Sequence, residues 1–362
     1  MPPQLLYIPV LKGKEGEFAA LEALDPEVRS HLMPLIEIPP VQYDYVNERP
    51  AKTLDEHVRG IADRLRKAWR EQPLYLDLPF EEDGRLSDGR VALAAVLEDC
   101  AGKGVSAVPV ISRESAPECL AAAGRYSTAT NSGVCLRLRV GDFEEDVEPD
   151  SDVERLITGL GGVANEEMDL VIDLEDLGPD TGRALLVARS IFYMVPKMEV
   201  WRRVILTGAS FPEDLSDVGA ATISTLPRRE WELWNTLQRR PKLLPRPDLI
   251  FGDYAISHPV IKELDPRVML MSASIRYTTP DHWLIVKGRN VRHYGFDQYF
   301  ELCQVLVKRN EYCGSDFSWG DRYIADCAEG IQGPGNATTW RKVGTNHHLT
   351  LVVRELAKRL AS

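Results

Sequence analysis

Short apolar runs alternate with amphipathic helical segments along most of the chain. Each run is four to seven residues long, which is a typical length for a strand and short for a helix. In chain order the runs are Leu5–Leu11, Met33–Ile38, Leu74–Leu78, Ala107–Ser112, Val134–Val140, Asp169–Leu174, Val204–Thr207 and Asp248–Asp253. The alternation therefore predicts strands separated by helices.

Strands that alternate with helices predict right-handed βαβ units and a parallel sheet. The runs are apolar at nearly every position, as in strands that are covered on both faces. Eight such repeats close a TIM-type (β/α)8 barrel, which is the fold class that we predict. A doubly wound open sheet is the alternative, but no G-x-G-x-x-G follows the first run.

The pattern changes after the eighth run. Met269–Thr278 and His282–Lys287 are two β-like runs around the turn residues Thr279-Pro280-Asp281. They predict a β-hairpin inserted before the last barrel helix, for which the best segment is Gln298–Asn310. Two further helices are predicted near Arg322–Ala328 and at His348–Leu360.

These segments give a domain prediction. Residues 1–362 form a single barrel domain with a hairpin insertion at 256–296. Residues 313–362 form a C-terminal extension that packs on the barrel.

Composition and charge limit the partners. The net charge is −12 and the pI is about 5.2, whereas a protein that binds DNA regardless of sequence carries a basic face. A nucleic-acid end would have to meet a local basic pocket. No run approaches the ~18 apolar residues of a membrane helix, so we expect no membrane partner.

The six cysteines form no C-x-x-C pair and no zinc-ribbon spacing. A chain of 362 residues has a core large enough to fold without disulfides. We therefore expect reduced, mostly buried thiols, which favours a cytoplasmic protein.

Charged residues inside and just after the apolar runs are the candidate site residues. The carboxyl ends of the strands form the functional face of such a barrel. The candidate catalytic residues are the carboxylates Glu37, Asp77, Asp173 and Glu175. The candidate ligand-binding residues are Lys12, Arg113, Arg137, Arg139, Arg276, Lys287 and Arg341. By the period of two along a strand, Arg137 and Arg139 share one face, and so do Asp173 and Glu175.

Two interpretations of these charges stay open. In the first they form a salt-bridge lattice that closes the barrel mouth, because ionised groups are costly to bury unpaired. In the second they line a polar pocket for an anionic ligand such as a phosphate ester. In that pocket Mg²⁺ is a possible cofactor, bound by carboxylates of neighbouring strands, and no cofactor is certain.

Other polar residues have structural interpretations. His347 and His348 are adjacent, so on a helix they point in different directions and do not form a zinc pair. Thr345 or Asn346 is the predicted N-cap of the last helix, and Ser318 or Asp321 caps the preceding one. Ser210 lacks the G-x-S-x-G context of a serine hydrolase, and the sequence contains no P-loop.

Several segments resemble the "beta protein" family of tailed phages and bacteria. They include YIPVLKGKEGEF, PLIEIPP, FGDY, IRYT, WLIVKGR, SWGDRYIADCA and WRKVGTNHHLTLVV. The resemblance covers nearly the whole chain. It implies a phage–host or mobile-element context and assigns no catalytic residue.

Two functional hypotheses follow. The first is a protein that binds, and as an enzyme would hydrolyse, a phosphate-bearing small molecule or nucleic-acid end at the barrel mouth. The second is a non-catalytic binding or adaptor protein with a protein partner from a phage or an anti-phage defence system. The sequence predicts neither the oligomeric state nor the identity of the ligand.

Overall fold

The computed structural model describes residues 4–70, 72–143, 149–195, 198–261 and 271–360. The strands are β1 (Tyr7–Leu11), β2 (Leu35–Glu37), β3 (Tyr43–Asp44), β4 (Arg49–Pro50), β5 (Leu74–Asp77), β6 (Ala107–Ser112), β7 (Val134–Arg139), β8 (Met168–Asp176), β9 (Arg203–Ala209), β10 (Thr222–Pro227), β11 (Ile250–Asp253), β12 (Ser272–Thr278) and β13 (His282–Asn290).

The α-helices follow the strands in alternation up to β9. They are α1 (Glu15–Glu22), α2 (Pro26–Ser30), α3 (Leu54–Val58), α4 (Ile61–Trp69), α5 (Ala92–Gly102), α6 (Pro117–Thr130), α7 (Pro149–Gly159), α8 (Thr181–Met194), α9 (Arg229–Gln238), α10 (Val291–Tyr294), α11 (Gln298–Leu306), α12 (Trp319–Ala328) and α13 (Ala337–Leu360). Short 3₁₀ turns lie at Val140–Phe143, Asn165–Glu167 and Pro241–Leu243.

Eight parallel strands close the barrel in the order β1-β11-β9-β8-β7-β6-β5-β2. Closure is made where β1 pairs with β11 on one side, with Tyr7 opposite Phe251, and with β2 on the other, with Val10 opposite Leu35. Each of the eight predicted runs supplies one of these strands. The predicted TIM-type barrel is confirmed.

The barrel strands are buried on both faces, as their continuous apolar character predicts. Inward-facing side chains such as Ile8, Tyr75 and Val171 fill the interior, while Leu76, Leu136 and others pack outward against the helices. The interior begins and ends with polar residues. At the N-terminal end of the strands Tyr75 donates a hydrogen bond to the buried Asp169 at 2.8 Å. The opposite end carries the charges described below.

The predicted hairpin is present as β12 and β13, although Met269 and Leu270 of the predicted first run lie outside the described residues. The sequence did not predict a third strand, β10, which pairs with β13 antiparallel. Strand β10 comes from the segment between β9 and α9. Its residues are mostly exposed, so it lacks the apolar signal by which the other strands were found.

The last barrel helix was predicted in the wrong place. Helix α11, at the predicted segment, packs on the hairpin and α12 and forms a hydrophobic cluster with them. Helix α13 packs instead on α1 and β1, where the helix after the eighth strand belongs, and Asn346 donates to the carbonyl of Ala20 at 3.2 Å. We call the two hairpin strands and α11–α13 the C-terminal layer. This layer thus joins the barrel through α13.

The predicted start of α13 was also wrong. The helix begins at Ala337, so Thr345 and Asn346 lie inside it, fully buried, and neither is an N-cap. The cap of α12 was predicted correctly, since the Ser318 side chain accepts a hydrogen bond from the Asp321 amide at 3.1 Å. The division into one domain with the stated boundaries remains a prediction.

None of the helices in the described ranges combines the length and the apolar character that crossing a membrane requires.

Candidate functional site

The guanidinium of Arg137 lies inside the barrel at the carboxyl ends of the strands. Its Nη1 is 2.7 Å from Glu37 Oε1 and 2.6 Å from Asp77 Oδ2. Its Nη2 is 2.6 Å from Asp173 Oδ2. These side chains come from four different barrel strands and are nearly inaccessible, Arg137 being 1% exposed. The parity of the strands predicted this shared interior face.

Two further residues complete the group around Arg137, which we call the mouth lattice (Lys12, Glu37, Asp77, Arg137, Asp173 and Tyr254). Lys12 forms a hydrogen-bonded ion pair with Glu37 and donates to the carbonyl of Pro259 at 2.5 Å. It is 4% exposed and therefore does not lie at the rim, where the sequence placed it. The Tyr254 hydroxyl donates to Asp173 at 2.5 Å and accepts from Arg137 at 2.6 Å.

The charges of the lattice affect its carboxylates differently. Burial opposes ionisation of Glu37, but Arg137 and Lys12 hold its pKa below the usual range. Burial raises the pKa of Asp77, and the attraction of Arg137 does not offset the burial and the repulsion of Glu37. Asp77 thus takes up a proton more readily than Glu37. A catalytic role for Glu37, Asp77 and Asp173 remains a prediction, and their contacts with Arg137 and Lys12 are those of a salt-bridge lattice.

Glu175 and Arg139 lie at the rim and are less buried than the mouth lattice. Glu175 has a φ of 53°, in the left-handed region, and the β8–β9 register shifts between Asp173 and Asp176. Both side chains are half-buried, and Glu175 Oε1 is 3.9 Å from Nε of Arg139. Catalysis by Glu175 and ligand binding by Arg139 remain predictions.

Arg113 and Lys287 have different surroundings. Arg113 is half-buried after β6, with Nη1 3.4 Å from the carbonyl of Asp142. Lys287 is buried in the hairpin and donates to the carbonyls of Leu215 and Val218, both at 2.6 Å. These two carbonyl contacts connect Lys287 to the segment between β9 and β10. A ligand-binding role for Lys287 remains a prediction.

The segment after β11 brings three cations together. The carbonyl of Ile256 accepts from Arg276 Nη1 at 2.9 Å, and the hydroxyl of Ser257 accepts from Arg341 Nη1 at 2.7 Å. The carbonyl of Pro259 accepts from Lys12, as described above. The hairpin strand β12 supplies Arg276 and the first turn of α13 supplies Arg341. Side chains from distant parts of the sequence therefore converge beside the end of β1.

Lys14 adds a fourth cation to this region. Gly13, between the two lysines, has a φ of +58°, and a Cβ there would lie 2.9 Å from the Glu37 carbonyl. This tight turn, which suits glycine, leads directly into α1, whose N-cap is Lys14. The first turn of α1 touches α13, because a Cβ on Gly16 would lie 2.7 Å from Cβ of Arg341.

One buried carboxylate, Glu17, faces these cations. Its Oε1 is 4.0 Å from Arg341 Nη1 and 3.4 Å from the Ser257 hydroxyl. We call Lys14, Glu17, Ser257, Arg276 and Arg341 the cation site. Burial, and then the charge of Arg341, lower the pKa of Arg276 to about 9. Desolvation and Arg341 also lower the pKa of Lys14, although its side chain reaches solvent. The positive charges of this site therefore repel one another.

Sequence reasoning missed two titratable residues near the mouth. Glu82, after β5, accepts a hydrogen bond from Ser115 at 3.2 Å, and burial raises its pKa to about 7. His258, after β11, has Nε2 3.7 Å from Asp176 Oδ2. Both residues lie in loops several positions beyond an apolar run, where periodicity carries no information. The only available signal was their position after a strand end.

In a comparison with known protein families, the profile of the beta protein family matches residues 7–354. The chain belongs to the beta protein family. The match spans β1 through most of α13, so the barrel, the mouth lattice and the cation site all lie within the family's extent. Among curated proteins, none matches the chain.

One solved structure similar to this beta protein is a type I 3-dehydroquinate dehydratase from Clostridium difficile with covalently modified comenic acid. The two chains are 13% identical, with a TM-score of 0.40. The alignment covers 72% of this chain and 89% of the dehydratase chain.

Buried histidines tie the C-terminal layer of this beta protein to the barrel. Nε2 of His348 is 3.0 Å from Asp253, the last residue of β11, and 3.2 Å from the hydroxyl of Tyr7, the first residue of β1. Nδ1 of the adjacent His347 is 2.8 Å from Asp321. As the sequence predicted, the two rings point to different partners and share no ligand position.

A metal site is not evident in the part of the chain that the structure describes, where no three His, Cys, Asp or Glu side chains are grouped so as to hold an ion. The carboxylates suggested for Mg²⁺, Glu37, Asp77 and Asp173, direct oxygens at Arg137.

Proposed function

We propose that this beta protein binds a phosphate-bearing ligand at the carboxyl-end mouth of its barrel. One observation carries the proposal: Arg276 and Arg341 converge on the segment after β11, and Lys14 lies beside them at the start of α1. Among the described residues, a single buried carboxylate, Glu17, faces these cations. Like charges held together in a partly buried place are unfavourable unless an anion joins them. A bound phosphate would relieve that repulsion.

The chemistry of arginine supports a phosphate. A guanidinium presents a planar fork of N–H donors that matches phosphate oxygens in pairs. Each arginine of the cation site makes its hydrogen bonds to described residues through Nη1. The remaining N–H groups are thus the ones that would contact the ligand. The location also agrees with the general position of ligand sites in such barrels, at the carboxyl ends of the strands.

Hydrolysis of a phosphate ester is the enzymatic form of this proposal. The observation that favours it is Glu82, a carboxyl at the mouth whose pKa is raised to about 7. Such a group exchanges a proton near neutral pH, as a general acid or base must. The non-catalytic alternative is a binding or adaptor protein, with a partner from a phage or defence system. A release assay for inorganic phosphate on each bound ester separates the two.

The setting of the protein is part of the proposal. We propose a role in phage–host conflict, which the family resemblance supports. We also propose a cytoplasmic location, in line with six cysteines that are all unpaired, including the exposed Cys313.

A binding experiment tests the proposed function. Wild-type protein is titrated calorimetrically with inorganic phosphate, methyl phosphate and AMP, and its melting temperature is recorded with each. We expect binding, a raised melting temperature, and loss of both in Arg341→Gln and Lys14→Gln. Arg289→Gln is the matched control, because Arg289 lies on the same hairpin as Arg276 but is exposed and stacks over Tyr294. If the wild type binds none of the three compounds, the proposed function is wrong.

A further inference from the structure

The charges of the cation site are not balanced. Lys14, Arg276 and Arg341 contribute three positive charges, and Glu17 contributes one negative charge. Lys12, the next cation, is already paired with Glu37 in the mouth lattice. The described side chains therefore leave an excess of two positive charges at this place.

We propose that the ligand is a small phosphomonoester, bound through its dianionic terminal phosphate. This inference rests on the proposed function and narrows it. A phosphomonoester carries close to two negative charges above its second pKa of about 6, whereas a phosphodiester or a carboxylate carries one. The dianion matches the excess charge of the site, and a monoanion leaves one cation uncompensated.

The donors of the site suit three terminal oxygens. Arg276 and Arg341 approach from the C-terminal layer, each held by a hydrogen bond from Nη1 to the segment after β11. Lys14 approaches from the barrel side, at the N-cap of α1. These two guanidinium groups and the ammonium group lie close enough to repel one another, and together they offer donors for three oxygens. A diester has only two terminal oxygens to offer them, since its other two oxygens are bonded to carbon.

The rest of the mouth argues for a small ligand and against a nucleic-acid end. Carboxylates outnumber cations on the rest of the rim, where Glu82, Asp142, Glu175 and Asp176 lie with Arg113 and Arg139. The whole chain carries a net charge of −12. A polynucleotide that enters by its terminal phosphate would bring further phosphates past these carboxylates, and like charges would repel it. A small phosphomonoester carries its charge only at the cation site.

The experiment compares matched pairs of compounds at pH 7.5 by calorimetry. Methyl phosphate and dimethyl phosphate differ in charge and in the number of terminal oxygens, and acetate serves as the carboxylate ligand for comparison. AMP and a 5′-phosphorylated oligonucleotide share the same terminal group. We expect methyl phosphate to bind at least about tenfold more tightly than dimethyl phosphate, since a second charge in a partly buried site is worth 1.4 kcal/mol or more. We also expect AMP to bind more tightly than the oligonucleotide.

Variants and pH give independent readouts. Lys14→Met should weaken the binding of methyl phosphate more than that of dimethyl phosphate, while Arg289→Gln should leave both affinities unchanged. Affinity for methyl phosphate should fall as the pH drops from 7.5 to 5, because the second phosphate proton binds near pH 6. Equal affinity for the monoester and the diester would overturn the inference and leave the proposed function intact. Tighter binding of the oligonucleotide than of AMP would overturn the small-ligand part. If none of the phosphorus compounds binds to the wild-type protein, the proposed function itself is wrong.

Discussion

Arg137 and Asp173 form an ion pair inside the barrel, with Asp173 Oδ2 3.0 Å from Nε and 2.6 Å from Nη2 of the arginine. Both side chains are almost fully buried. Strands β7 and β8 are neighbours and Arg137 is in register with Val171, so its side chain reaches two residues further along β8 to make the pair. This pair is the centre of the mouth lattice, and it decides how the lattice responds to substitution.

Replacing Arg137 by methionine should destabilise the protein strongly. Glu37, Asp77 and Asp173 would remain buried, and among the described side chains only Lys12 would still form an ion pair with them, at Glu37. Removing one partner of a buried ion pair costs about 3–5 kcal/mol. Chemical denaturation at pH 7.5 measures the loss. The matched control is Arg139→Met on the same strand, which should cost less than about 1 kcal/mol because that side chain is partly exposed. Equal effects of the two substitutions would contradict the lattice.

Protonation should partly rescue the Arg137→Met protein. Without the guanidinium, burial raises the pKa values of these carboxyl groups. They are therefore protonated in the folded state at pH values where the same groups are ionised in the unfolded chain. Its free energy of unfolding, relative to wild type, should therefore increase as the pH falls from 7.5 to 5. A difference that stays constant over this range would show that electrostatics do not cause the loss.

Glu82 should make stability fall as the pH rises. Its folded pKa is about 7 and that of an unfolded glutamate is about 4.3, so the folded state holds the extra proton between these values. The free energy of unfolding should decrease by up to about 4 kcal/mol across this window and level off above it. Glu82→Gln should make the free energy of unfolding depend less steeply on pH. Part of the pH dependence will remain, because burial also raises the pKa of Glu230 to about 7. The exposed Glu301→Gln is the control and should leave the slope unchanged.

His348 should be neutral at pH 7.5, with its proton on Nε2. Burial lowers the pKa of His348, although the charge of Asp253 opposes this. Nε2 lies 3.0 Å from the Asp253 carboxylate, which accepts a hydrogen bond, and Nδ1 lies 2.9 Å from the Thr278 hydroxyl, which can donate to it.

Nitrogen-15 chemical shifts of the histidine rings at pH 7.5 test this assignment. We expect for His348 the shifts of a neutral ring protonated at Nε2. His348→Gln removes one signal set and provides the residue assignment. A doubly protonated ring at His348, or a neutral ring protonated at Nδ1, would contradict the assignment.

Cys313 should be the fast-reacting thiol of the native protein. All six cysteines are free, and Cys313 is exposed while the other five are buried. Under native conditions a thiol reagent should modify about one cysteine per chain rapidly, whereas the denatured chain should react at six. Cys313→Ser should abolish the rapid phase. Mass measurement without reductant provides a second check, since a native disulfide would lower the number of thiols in the denatured chain.

The sequence by itself determined the barrel and its polar interior. Eight runs of continuous apolar character, separated by helical segments, are a local property that each strand carries whatever surrounds it. Parity within β7 and β8 then placed Arg137 and Asp173 on the interior face, because side chains alternate between faces along a regular strand. The same reasoning does not extend to Glu175, because a positive φ and a register shift between β8 and β9 make the end of that strand irregular.

Only the tertiary structure decided which charges pair and which gather without a partner. Lys12 was expected at the rim, and closure of the barrel brings it against Glu37 instead. Arg276 and Arg341 are joined to Lys14 by the antiparallel sheet of the hairpin, by the packing of α13 on α1, and by the carbonyl and hydroxyl groups of the segment after β11. These are contacts between residues far apart in the chain. Periodicity reports the environment of a segment, but the balance of charge at a site depends on distances between segments, and packing alone sets those distances.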